Sequence, residues 1–312
     1  MAEKPPVVLT IAGFDPSSGA GVTADIKTIA AHGCYGVACI TALTVQSTSG
    51  VRRVDPLDPS LVMETLEELA ADLEIAAVHL GMLGSGKVVK AVADFLTTRR
   101  SSPLAKPSTR PLTGGQEGSW LFPRKSTLPN IVLDPILKSS SGADLLDAAG
   151  IRLLRERLIP LADVVTPNVD EAAALTGIQV EDLDSMKAAC AKLHEMGSSA
   201  VVITGGHLEK AMDLLSFKAE RDGETKVEQE LFKAERQRSN STHGTGCAFA
   251  TAMACHLALD RGLAEAALLA KTYVGAAISY GQPLGRGTGP VHHLYRMGQQ
   301  RRAAGSGSSS ES

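Results

Sequence analysis

The residues best suited to chemistry lie near the C-terminal end, in Asn240-Ser-Thr-His-Gly-Thr-Gly-Cys247 and the small, apolar run after it. Gly244 and Gly246 bracket Thr245, and Cys247 opens a stretch to Leu259 that reads as helix. A glycine-rich turn feeding a helix leaves its first N–H groups without intrahelical partners, and the macrodipole adds partial positive charge there. That combination is an anion site suited to phosphate chemistry. Cys247 puts an ionisable thiol at its mouth, and a helix N-terminus is expected to lower that thiol from its reference pKa of about 8.5.

Oxygen ligands stand elsewhere. Asp134 is followed by Pro135, so the backbone turns away and leaves the carboxylate at a strand end. Asn168 and Glu171 are spaced i, i+3 at a helix start, on one face. With Asp134 they make a hard-oxygen set that suits Mg²⁺ through water. The same Asn168 and Glu171 also fit an ordinary N-cap with a capping box. Asp25, four residues after Gly21, either faces a site or stabilises a helix dipole from the first turn. Gln46 follows an apolar strand and is either a ligand-facing amide or a loop residue. His292 and His293 are adjacent and point to different faces, which does not suit a metal pair. His79 and His207 read as structural histidines.

These residues need a frame. Val7 to Ala12 is a short apolar run that reads as a buried parallel strand, followed by the turn-rich loop Gly13 to Gly21 and a helix from Val22 to Ala31. Val37 to Thr44 reads as strand and Gln46 to Gly50 as polar loop. Asp58-Pro59 opens a helix to about Asp72, Ala76 to Leu80 is a strand, and Lys87 to Thr97 a helix. The β-loop-α order predicts a parallel sheet with right-handed crossovers. Residues 99–129 are rich in Ser, Pro, Gly and basic residues and have no period, so a disordered insertion or mobile flap is expected. Regularity returns with strand 131–134, helix 143–159, strand 164–165, helices 168–176 and 181–196, and strand 200–204. A hairpin from Ala211–Phe217 and Glu228–Ala234 precedes two small-residue helices, 246–260 and 263–281. Asp15, Met82, Asp134, Asn168, Gly205 and the Gly244 turn all fall at strand C-terminal ends, where open parallel sheets bind ligands.

The bulk numbers narrow the class. Hydrophobic residues are 44 % and charged residues 21 % of 312, which suits a globular protein with an ample core. A net charge of -3 argues against nucleic acid as main partner. No apolar run nears the roughly 20 residues that span a bilayer, so no membrane partner is expected. Five cysteines without paired or metal-ligand spacing suggest reduced thiols in a cytoplasm.

Thr10-Ile-Ala-Gly-Phe-Asp-Pro-Ser-Ser-Gly-Ala-Gly-Val-Thr-Ala-Asp-Ile-Lys27 and the block from His32 to Gln46 resemble hydroxymethylpyrimidine/phosphomethylpyrimidine kinases of thiamin biosynthesis, in the ribokinase superfamily. Gly81-Met-Leu83, Thr166-Pro-Asn-Val-Asp-Glu-Ala172, Gly205-Gly-His207, Thr242-His-Gly-Thr-Gly-Cys247 and Gly289-Pro-Val-His-His293 resemble them in the same order, over about residues 7–295. The resemblance implies an α/β fold: a ribokinase-like, mostly parallel central sheet with helices on both faces and a small or absent lid. It implies one kinase domain over residues 1–298, interrupted by the insertion at 99–129, and a homodimer, while the Ser/Gly-rich composition of 299–312 predicts a disordered tail. It implies ATP- and Mg²⁺-dependent phosphorylation of 4-amino-5-hydroxymethyl-2-methylpyrimidine, then of its monophosphate.

By the same resemblance Gln46 bonds the aminopyrimidine edge, and Gly13, Asp25 and Met82 line the ring pocket. Gly244, Thr245 and Gly246 form the anion hole, with Cys247 as base. Asp134, Asn168, Thr204 and Gly206 fall at the nucleotide, and Asp134 and Glu171 at the metal. One departure stands out: relatives carry Lys where this chain has Thr204, so less positive charge meets the transferring group, unless Lys138 or Lys210 substitutes. Pyridoxal-preferring relatives resemble Met at the Gln46 position. Pyridoxal kinase and a catalytically weak pyrimidine sensor are the alternative readings.

Overall fold

The computed structural model describes residues 4–100, 108–111, 119–122, 128–206, 212–221, 224–233 and 239–297. Its strands are β1 (Val7–Phe14), β2 (Tyr35–Ser47), β3 (Gly50–Pro56), β4 (Ile75–Leu80), β5 (Ser108–Pro111), β6 (Ser119–Phe122), β7 (Ile131–Leu133), β8 (Val164–Val165), β9 (Ala200–Gly205), β10 (Met212–Arg221) and β11 (Glu224–Lys233). Its helices are α1 (Gly21–Ala31), α2 (Pro59–Asp72), α3 (Gly86–Arg100), α4 (Ala148–Leu153), α5 (Val169–Thr176), α6 (Leu183–Glu195), α7 (Thr245–Ala258) and α8 (Leu263–Ser279).

All strands join one sheet, ordered β3-β2-β1-β4-β7-β8-β9-β10-β6-β5, with β11 on β10. The stretch from β2 to β9 is parallel, while β3 and β10 run antiparallel to their neighbours. Alternate side chains of a strand face opposite sides, and here each side is apolar. Leu9, Ile11, Val201 and Ile203 face one core with Leu66 of α2, Leu96 of α3 and Leu193 of α6. Val8, Ala200 and Val202 face the other, with Ile29 of α1, Met253 of α7 and Tyr273 of α8. Burial on both faces explains why these strands read as continuous apolar runs.

Local signals set several helix starts. Asp58 accepts from the Ser60 N–H ahead of α2, and Asp147 accepts from Gly150 N–H ahead of α4. The second cap corrects the expected helix over 143–159: α4 begins at Ala148, and a π turn (Leu154–Leu158) and a 3₁₀ turn (Ile159–Leu161) follow it. Gln46 is also not in a loop. β2 continues to Ser47 and β3 pairs back on it. β3 escaped the sequence reading because it is an edge strand with little burial, so it shows no apolar alternation. Within the segment expected to lack structure, β5 pairs with β6, and β6 joins β10. Residues 101–107, 112–118 and 123–127 of that segment, His207, Lys210 and the tail from Gln299 lie outside the described residues.

Candidate active site

The sheet brings the loops at its strand ends together around the start of α7. Gly244 caps α7 with φ +83, and a Cβ there would stand 1.8 Å from the Gly19 carbonyl oxygen. Only glycine permits that backbone angle and that approach. Thr245 Oγ1 donates to the Thr242 carbonyl (2.7 Å), fixing the turn. Gly246 stays open: a Cβ on it would meet only Asp134 Oδ2, at 3.7 Å.

Behind this turn lies an acidic cluster. The Cys247 thiol lies beside the Asp134 carboxyl group, whose buried Oδ2 has no hydrogen-bond partner. Burial pushes Asp134 well above the usual carboxylate range, and Glu171 and Asp25 add to this. Burial likewise pushes Glu171 up to about 7, against the Asn168 N–H bond that favours its charged form. Cys247 corrects an expectation. Burial, then the Asp134 and Asp25 carboxyl groups, push its thiol well above its ordinary value, so the helix N-terminus does not prevail here.

Asn168 and Glu171 form the capping box, with Glu171 Oε2 accepting from Asn168 N–H and Asn168 Oδ1 from Glu171 N–H, both at 2.9 Å. Glu171 is nevertheless close enough to Asp134 to help raise its pKa, while Asp170 adds to the rise at Glu171 itself. The unpartnered Asp134 oxygen and the raised Glu171 fit a divalent cation. Among the described residues no group of three or more His, Cys, Asp or Glu could hold a metal by side chains alone, so phosphate and water oxygens would complete such a shell.

Gly13 and Met82 touch: a Cβ on Gly13 would lie 2.3 Å from Met82 Cε. Gln46 lines an open cleft with Thr48, Ser139, Ser141, His243 and Thr288. Asp25 differs from expectation. It has no exposed surface, and its carboxyl oxygens accept from Thr10 Oγ1 (2.7 Å) and Thr251 Oγ1 (2.9 Å), beside His79 Nδ1 (3.4 Å). It ties β1 to α7 beneath the site and is neither a first-turn acid nor a wall of the cleft. His79 is buried in the same network. His293 is buried against Thr28 and Gly19 and is structural.

At the end of β9, Thr204 lies beside Asn168, its N–H bonded to the Pro167 carbonyl (2.9 Å), and Gly206 is exposed just beyond the strand. Lys138 is drawn to Asp144 at the surface (3.7 Å). Lys271 of α8 instead reaches Asp213, whose other oxygen accepts from Gly205 N–H (3.1 Å). Sequence reasoning missed Lys271, and also Asp15 and His243 as a pair. His243 Nε2 stands 2.8 Å from Asp15 Oδ2. Burial works against the Asp15 carboxylate, but donors from His243, Ser17 and Ala20 hold its pKa below the usual value. The signal available was position: both residues sit inside glycine-rich blocks.

The phosphomethylpyrimidine kinase family model matches residues 15–105 and 120–292. The chain is 35 % identical over 288 residues to the hydroxymethylpyrimidine/phosphomethylpyrimidine kinase of Haemophilus influenzae, covering 92 % of this chain and 96 % of that protein. It is 38 % identical to the thiamine biosynthesis bifunctional protein ThiED of Geobacter sulfurreducens, covering 92 % of this chain but 52 % of that longer protein. Among solved structures, an ADP complex of Bacillus subtilis pyridoxal kinase superposes with a TM-score of 0.75 at 30 % identity, covering 94 % of this chain and all of that one (100 %). A phosphomethylpyrimidine kinase from Clostridium difficile gives 0.69 at 32 % identity, covering 88 % and 99 %. With its ribokinase-like sheet, its glycine turn at α7 and these matches over most of its length, the chain belongs to the phosphomethylpyrimidine kinase family and is a phosphotransferase.

Proposed function

We propose that this protein uses ATP to phosphorylate the hydroxymethyl group of 4-amino-5-hydroxymethyl-2-methylpyrimidine and then phosphorylates the resulting monophosphate. One observation carries the reading: Gln46 lies 3.4 Å from His243, the residue just before the Gly244 turn. The ring-binding amide and the anion turn therefore belong to one site. An amide both donates and accepts, as an aminopyrimidine edge requires.

The transfer is positioning and charge stabilisation more than covalent work. N–H groups at Gly246 and Cys247 meet the oxygens that gain charge. Cys247 would take the hydroxymethyl proton as its thiolate, a form that burial and the Asp134 and Asp25 carboxyl groups disfavour and that Mg²⁺ would favour by offsetting those carboxyl groups, while a monophosphate acceptor is already anionic and needs no base. Asp134 and Glu171 would hold Mg²⁺, with Asn168, Thr204 and Gly206 along the nucleotide. When bound, Mg²⁺ supplies positive charge that offsets the carboxyl groups and the transferring phosphates. Gly13 and Met82 bound the ring, and Asp25 supports α7 from below.

We further propose one kinase domain over residues 1–298, a homodimer, and a cytoplasmic location. Five buried free cysteines support the reducing compartment, and no helix among the described residues is long and apolar enough to cross a membrane. The similarity to a pyridoxal kinase keeps pyridoxal as the second reading. A mass-spectrometric product assay with the hydroxymethylpyrimidine, its monophosphate and pyridoxal in parallel tests both. The expected products are pyrimidine mono- and diphosphate at rates above pyridoxal phosphate. Faster conversion of pyridoxal, or binding without ATP consumption, refutes the main reading.

A further inference from the structure

Counting protons around Gln46 shows a constraint on what the site can recognise. Thr44 Oγ1 lies 2.9 Å from the Phe14 carbonyl oxygen, which can only accept, so the hydroxyl proton goes there. The same Oγ1 is 3.1 Å from the Gln46 amide on one flank, and His243 Nε2 is 3.4 Å from it on the other. His243 Nε2 faces the Asp15 carboxylate at 2.8 Å, a contact that requires an N–H on that nitrogen whether the ring is neutral or charged. The Thr44 flank therefore offers only lone pairs, and the His243 flank only the single N–H that Nε2 shares between Asp15, at 2.8 Å, and the amide, at 3.4 Å. An amide nitrogen toward His243 would set N–H against N–H, and its oxygen toward Thr44 would find no proton. Turning the amide over resolves both conflicts, and which end of a glutamine amide is oxygen is an assignment that the hydrogen-bond network decides.

We propose that His243, held by Asp15, and Thr44 lock the Gln46 amide with its oxygen toward His243 and its nitrogen toward Thr44, making His243 a specificity-determining residue. This rests on the aminopyrimidine reading above. The locked amide keeps one free N–H and one free lone pair for the cleft, in fixed order. A ligand must then present a ring nitrogen acceptor on the Thr44 side and an exocyclic amine on the His243 side. A 4-oxo pyrimidine of the same shape carries the reverse pattern, ring N–H donor and carbonyl acceptor, and meets like against like at both positions. Without the lock the amide turns freely and serves either pattern.

The test measures calorimetric affinities of the full-length protein for the 4-amino-5-hydroxymethyl-2-methylpyrimidine and its 4-oxo counterpart. Wild type is compared with His243→Phe and Thr44→Val. Wild type should favour the amino compound at least about tenfold, the discrimination of one bidentate hydrogen-bond pair. In each variant that melts cooperatively the ratio should fall to within about threefold of unity, because only the lock has been removed. A merely structural role for His243 would weaken both compounds and leave the ratio in place. An unchanged ratio in either folded variant overturns the proposal, as does a wild type that binds both compounds equally. Wild type binding neither compound overturns the substrate reading itself.

Discussion

Asp25→Ala separates a buried support from a substrate contact. In the structure the Asp25 carboxyl group takes protons from Thr10 and Thr251 and is wholly buried. Removing it forfeits two hydrogen bonds at about 1 kcal/mol each and leaves buried hydroxyls short of acceptors at about 1–3 kcal/mol more. Relief from burying an acidic group offsets part of this. A net loss of about 2–4 kcal/mol results, which for a domain of this size lowers Tm by about 3–6 °C. The companion Thr251→Val loses one of the two bonds and should cost about 1 kcal/mol. Thermal melting by circular dichroism reads the first effect, and steady-state KM for the hydroxymethylpyrimidine reads the other possibility. Since Thr251 lies one turn beyond Cys247 on α7, some fall in kcat is expected, with KM changed less than threefold or so. An unchanged Tm with a KM raised tenfold would refute the buried-support account and return Asp25 to the ring pocket.

Cys247→Ala should slow phosphorylation of the hydroxymethylpyrimidine by roughly 10²- to 10⁴-fold while the monophosphate step loses much less. Equal losses in separate assays of the two steps would make Cys247 a packing residue. On acidification the buried histidines work against the fold, while Asp134 and Glu171, raised above their unfolded values, work for it. Burial and neighbouring His32 push His256 down to about 4, and burial and Lys27 push His293 down to about 4. A histidine with a depressed folded pKa contributes fully above its unfolded pKa of about 6.5, and loses that contribution as pH falls toward 4, by up to about 3 kcal/mol each. Urea unfolding at pH 7, 5.5 and 4.5 should show His256→Gln losing less stability on acidification than wild type, and parallel profiles for the two would contradict the histidine contribution. Thr204→Lys adds a cation beside Asn168 and Gly205, and should raise kcat/KM for ATP by up to about tenfold. No change would mean that Lys271, held at Asp213, already supplies the charge on that side.

Much of this molecule is legible in its sequence because the signals are local. Apolar runs mark strands buried on both faces, and Asp58, Asn168 and Asp182 cap helices through residues two or three positions away. The glycine turn before α7 needs only Gly244 and its neighbours to be recognised as an anion site. The edge strand β3 and the late start of α4 were not legible, since one lacks a buried face and the other depends on the Asp147 cap. The site's electrostatics were hidden for a stronger reason. Asp25 meets Thr251 across 226 residues of chain, and His243 meets Asp15 across 228. Cys247 reads as a lowered thiol when only its helix is considered, and as a raised one once Asp134, Asp25 and Glu171 surround it in a dry interior. Residue types and short-range spacing thus determined the fold class and the chemistry on offer. Burial and long-range contacts decided the charge state and orientation of each group, because both depend on which distant side chains exclude water from it.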